Sequence, residues 1–105
     1  MPYDPSDLPR DAAQAIGRLV EDVASGKAAY KDPRDVARAF KHLQRLAHDL
    51  PQTLLQASSA IDRMARDRDD ATELARIIGE AATSAASLDD QLRRAYETAQ
   101  QIRAI

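Results

Sequence analysis

The chain has 105 residues, a formal net charge of −2 and no cysteine, which fits one domain and excludes disulfides and thiolate metal sites. Aromatic residues make up 4% and charged residues 30%, so a core must come from Leu, Ile, Val and Ala, a balance that suits long helices better than sheets. Basic and acidic side chains interleave without a basic cluster, which disfavours nucleic acid as a partner. No stretch approaches the roughly 20 apolar residues of a membrane span, and the N-terminus lacks a basic segment followed by an apolar run, so a cytoplasmic location is the default expectation.

Residues 1–6 contain Pro2 and Pro5 and no periodicity, and read as an extended tail ahead of a single helical-bundle domain over 7–105. A first helix starts at Ser6 or Asp7, with Pro9 tolerated in a first turn whose amides lack partners. Its apolar face is Ala13, Ile16, Val20 and Val23, widened by Ala12 and Leu19, and it ends at Ala24-Ser25-Gly26, where Gly suits the left-handed position.

Asp32-Pro33-Arg34-Asp35 is a start signal, with an N-cap carboxylate, Pro at the first helical position and a second acid facing the positive helix end. From there Val36, Phe40, Leu43, Ala47, Leu50, Leu54, Ala57, Ile61 and Met64 recur in alternating steps of four and three. That is a heptad pattern. It keeps its phase across Pro51, which favours one kinked helix over about 33–67; the alternative is two helices abutting at Asp49-Leu50, and the chain would then fold back as a compact monomeric four-helix bundle.

The charged run Arg66-Asp67-Arg68-Asp69-Asp70 interrupts the pattern and marks a hairpin turn, with Asp70 and Glu73 in capping-box spacing. Leu74, Ile78, Ala81, Ala85, Leu88, Leu92, Ala95, Ala99 and Ile102 then form a second heptad seam in a helix running to the C-terminus. The expected fold is all-α: an antiparallel hairpin of two long heptad-patterned helices, with a shorter N-terminal helix completing a three-helix bundle. The first helix is expected to lie along Val36 to Leu50 and Leu92 to Ile102. Too short to cover the whole hairpin, it would leave the turn-side half open.

Chemistry-bearing motifs are sparse. His42 and His48 have no His or carboxylate at metal-motif spacing, so no metal site and no cofactor are expected. Ser58, Ser59, Ser84 and Ser87 lack the glycines of a nucleophile elbow, and Gly17, Gly26 and Gly79 form no phosphate-cradling loop. The chain is therefore expected not to be an enzyme.

An extended apolar stripe on the open half points to association. The candidate contact residues are Leu54, Leu55, Ile61, Met64, Leu74, Ile77 and Ile78, rimmed by Arg63, Arg66 and Arg68, and the expected partners are a second copy, giving a homodimer, and another protein. Two other readings are carried. Leu46-Ala47-His48-Asp49-Leu50-Pro51-Gln52-Thr53-Leu54 resembles the phosphoacceptor box of the histidine-kinase dimerisation hairpin. Over those nine residues, the resemblance implies phosphotransfer, with His48 as the nucleophile and Asp49 as the adjacent acid/base. The other is a small DNA-associated accessory protein using Arg93, Arg94 and Arg103.

Overall fold

The structure is a computed structural model that describes residues 2–103; the ends of the predicted tail and of the last predicted segment fall outside the described residues. Three helices follow in order, α1 (Asp7–Ala24), α2 (Pro33–Met64) and α3 (Arg68–Gln101). The described residues contain no strand. The chain divides into two compact units, Met1–Lys31 and Asp32–Ile105.

In the first unit, the Asp4 carboxylate accepts from both the Ser6 amide, at 2.9 Å, and the Ser6 hydroxyl, at 2.8 Å. These bonds hold that carboxyl below its usual range. Ser6 is the N-cap residue, yet its side chain makes no capping bond to the helix. α1 stops where predicted, because Gly26 takes a positive φ of 82°, a conformation that costs glycine little. The chain then turns sharply enough for the Ala28 amide to donate to the Asp22 carbonyl at 3.0 Å. None of the 18 residues of α1 is buried, and Ile16, Leu19, Val20 and Val23 expose their apolar face.

The second unit is a helical hairpin in which α2 and α3 pack against each other. Asp32 caps α2 as expected, accepting from the Arg34 amide at 2.7 Å and the Asp35 amide at 3.3 Å. The Arg34 bond is the main cause of a lowered Asp32 carboxyl pKa. α2 runs unbroken through Pro51, so the two-helix alternative does not occur. Proline cannot donate to the Ala47 carbonyl and crowds it, a general cost of about 3 kcal/mol. Half-buried Leu50 and Leu54 flank Pro51 in the packed seam, and a break there would forfeit their contact with α3.

The turn differs from the prediction in one residue's role. Asp67, not Asp70, is the N-cap of α3, its carboxylate accepting from Asp69 at 2.9 Å and Asp70 at 3.1 Å. The helix therefore starts at Arg68, and α2 ends at Met64 rather than near residue 67. Arg68 reaches back to pair with the Asp62 carboxylate and donates to the Asp62 carbonyl at 3.0 Å. One side chain thus neutralises an acid and satisfies a carbonyl left free at the end of α2.

The buried core of the described residues is all alanine: Ala37 and Ala47 from α2, and Ala71, Ala82, Ala85 and Ala99 from α3. Two helices cover only one stripe of each other, so only the smallest side chains sit wholly inside it, while larger ones straddle the edge. The seam of α3 also departs from the predicted pattern, since Leu88 is 43% exposed and Asp89 is half-buried in its place. In α2 and at its C-cap, Ser58 and Ala65 are less exposed than the predicted Ala57, Ile61 and Met64. A helix with 3.6 residues per turn drifts against a strict seven-residue repeat, and the packed stripe has moved to the adjacent positions.

Candidate interaction site

Positions seven apart in a heptad pattern share a line along the helix. On α2 one such line is His48, Leu55 and Asp62; on α3 another is Arg68, Ala75, Ala82 and Asp89. Two polar links join these lines. Asp62 pairs with Arg68 at the turn, and at the waist His48 Nδ1 lies 2.9 Å from Asp89 Oδ2. Gln44, one turn before His48, donates from Nε2 to Asp89 Oδ1 at 2.5 Å. These bonds place the two lines on the same side of the hairpin.

The lines on the opposite side are apolar. They carry Leu50, Ala57 and Met64 on α2 and Leu74, Ala81 and Leu88 on α3, flanked by Leu46 and Ile77, with Leu50, Leu74 and Ala81 half-buried at the border with the seam. Met64 is 73% exposed and Ile77 45%. The hairpin is thus amphipathic as a whole, polar across the His48 side and apolar across the Ile77 side.

This geometry sorts the seven predicted contact residues. Met64 and Ile77 belong to the open apolar face, and Leu74 is half-buried where that face meets the seam. Leu54 and Ile78 are half-buried in the seam between the helices, and Ile61 lies on the seam line but is exposed, because the packed stripe has shifted to Ser58 and Ala65. Leu55 stands apart, sharing the line of His48 and bordering a shallow depression with Gln52, Gln56, Ser59 and Arg63. Of the predicted rim, Arg68 is engaged by Asp62.

The polar waist was only half legible in the sequence. The sequence points to His48, but the partner of His48 is Asp89 rather than Asp49, whose carboxylate lies 4.0 Å from Arg45. The Asp89 carboxyl is lowered from its ordinary value, chiefly by the Gln44 bond and then by His48. The His48 side chain is 65% exposed and that of Asp89 19%. When Nδ1 carries a proton and donates it to Asp89, the Nε2 lone pair is the free one. The signal missed was an acid standing one position after a predicted seam leucine.

Other candidate residues are engaged elsewhere. Arg93 and Arg94 both pair with Asp90. At the open end of the hairpin a groove of about 630 Å³ is lined by Ala37, Arg38, Tyr96 and Gln100 with the Asp32 cap, and the Tyr96 hydroxyl already accepts from Gln100 at 2.8 Å. Among the described residues no three potential metal ligands converge, and no helix is long and apolar enough to cross a membrane. Compared with protein-family models, with curated proteins and with solved structures, the chain has no match.

Proposed function

We propose that the protein is a non-enzymatic association module, whose hairpin completes a larger helical bundle with a protein partner, a second copy included, in a cytoplasmic setting. The supporting observation is the apolar face around Met64, Ile77 and Leu88, which large side chains leave open to water. Finishing the burial of each is worth on the order of 1 kcal/mol. Contiguous exposed apolar faces usually serve association.

The test is the mass in solution. Light scattering coupled to size-exclusion chromatography at tens of micromolar should give more than one chain, and Ile77→Asp should return the monomer mass with helicity intact, because Ile77 is already exposed within its own chain. A monomer mass for the unaltered protein would overturn self-association.

A second reading draws on the His48–Asp89 bridge. A carboxylate that holds Nδ1 leaves Nε2 available as a nucleophile, and phosphotransfer through His48 would use it. Under this reading Asp89 orients the imidazole, in place of the acid/base role expected of Asp49. Incubation with phosphorylated receiver domains should then give an acid-labile label that His48→Ala abolishes and Asp89→Asn reduces. No label on the unaltered protein sinks it.

A further inference from the structure

An ionised carboxylate accepts hydrogen bonds and never donates them. Oδ1 of Asp89 takes the Gln44 Nε2–H at 2.5 Å, and Oδ2 lies 2.9 Å from His48 Nδ1, so the proton between Oδ2 and the ring belongs to Nδ1. Neutral histidine in water prefers the opposite tautomer, with its proton on Nε2. The hairpin therefore inverts the ordinary preference at His48 and leaves the lone pair on Nε2, in a side chain that is 65% exposed.

Gln44 decides how firmly the tautomer is held. It stands one turn before His48 on the same face of α2, is half-buried, and bonds to the carboxylate oxygen that His48 does not use. With one oxygen tied, the broad terminal torsion of the Asp89 side chain is restricted, and the other oxygen stays in reach of Nδ1. The Gln44 bond is also the first cause of the lowered Asp89 carboxyl, ahead of His48. His42 is exposed on the same helix and belongs to no such bridge among the described residues.

We infer that Gln44 is a positioning residue for His48: acting through Asp89, it fixes the Nδ1–H tautomer and directs an electrophile to Nε2. The tautomer stands on the bridge alone. Its use rests on the phosphotransfer reading, to which it adds the positioning residue and the atom modified. In that step the Nε2 lone pair forms the bond to phosphorus, the bond from phosphorus to the donor's leaving group breaks, and the Nδ1 proton stays in the bond to Asp89.

Long-range proton–nitrogen correlation spectra of the nitrogen-15-labelled chain, at about pH 8.5 where histidine is ordinarily neutral, report the tautomer of each ring. His48 should show the Nδ1–H pattern and His42 the Nε2–H-rich average of free histidine. Asp89→Asn should reverse His48, because Gln44 claims the new carbonyl oxygen and turns the amide nitrogen towards Nδ1, which must then accept; the same exchange imposes the wrong tautomer in catalytic triads. Gln44→Leu should move His48 towards the His42 pattern with helicity unchanged. An Nε2–H pattern at His48 in the unaltered chain overturns the inference, and an unchanged His48 in Gln44→Leu overturns the role of Gln44. Phosphoramidate, a small phosphoryl donor that releases ammonia, separates the tautomer from its use. Label on Nε2 of His48, acquired several-fold more slowly in Gln44→Leu, supports both. Label on Nδ1 overturns the inference, whereas no label beside an intact Nδ1–H pattern overturns phosphotransfer and leaves the positioning standing.

Discussion

Asp89 receives bonds from two residues of the opposite helix, Gln44 and His48, and its carboxyl pKa is lowered in the fold as a consequence. A carboxyl depressed on folding contributes stability that is present above its unfolded value and is lost as pH falls through its folded value. The gap in urea stability between the unaltered protein and Asp89→Asn should therefore be largest near neutral pH and shrink in acid below the ordinary carboxylate range. An equal gap at pH 7 and pH 3 would show that the charge of Asp89 contributes nothing. The lowered Asp4 and Asp32 carboxyls add acid sensitivity of the same sign at the two helix starts.

At the scale of the element, α2 carries a conflict between a local preference and a tertiary one. Pro51 is unfavourable in a helix interior, yet the apolar phase on both sides of it packs against one partner and α2 continues for 32 residues. Pro51→Ala should stabilise the hairpin by about 1–3 kcal/mol by restoring the bond to the Ala47 carbonyl; a lowered melting temperature would mean that the proline shapes the seam. The helices themselves were legible because their signals are local: Asp32-Pro33 starts α2, Gly26 ends α1, and two heptad runs span the rest. Less legible was which residue of an adjacent pair faces inward. Leu88 beside Asp89, and Ala57 beside Ser58, read as seam positions by hydropathy, but drift of the helix turned the more polar neighbour inward. The same limit explains the contact list, since Leu55 and Ile77 look alike in sequence and lie on opposite sides of the hairpin.

At the scale of the whole chain, the second unit is a pair of helices with alanine inside and larger apolar side chains such as Met64, Ile77 and Leu88 partly in water. Such a pair gains from any third or fourth helix that shares the apolar side, so its measured stability should depend on protein concentration. Thermal unfolding followed by circular dichroism should show a melting temperature that rises from about 1 to 100 μM. A constant value over that range would mark a chain that is stable alone. The Ile77→Asp variant, lacking the association, should lose this dependence while retaining its helices.

The alanine interior also bears on how the two helices know where to stop sliding. Layers built from one small residue look nearly alike when α3 moves by a heptad, about 10 Å along α2. The Gln44–Asp89–His48 layer does not, because such a slip sets Ala82 or Tyr96 opposite Gln44 and His48 and leaves the amide and imidazole unmatched. The bridge should therefore act as an indexing mark among the apolar layers, as a lone polar position does in other helix pairs. Asp89→Leu should accordingly keep or raise the melting temperature, yet split amide resonances near the waist into more than one set as neighbouring registers become populated; a single sharp set would place the indexing elsewhere.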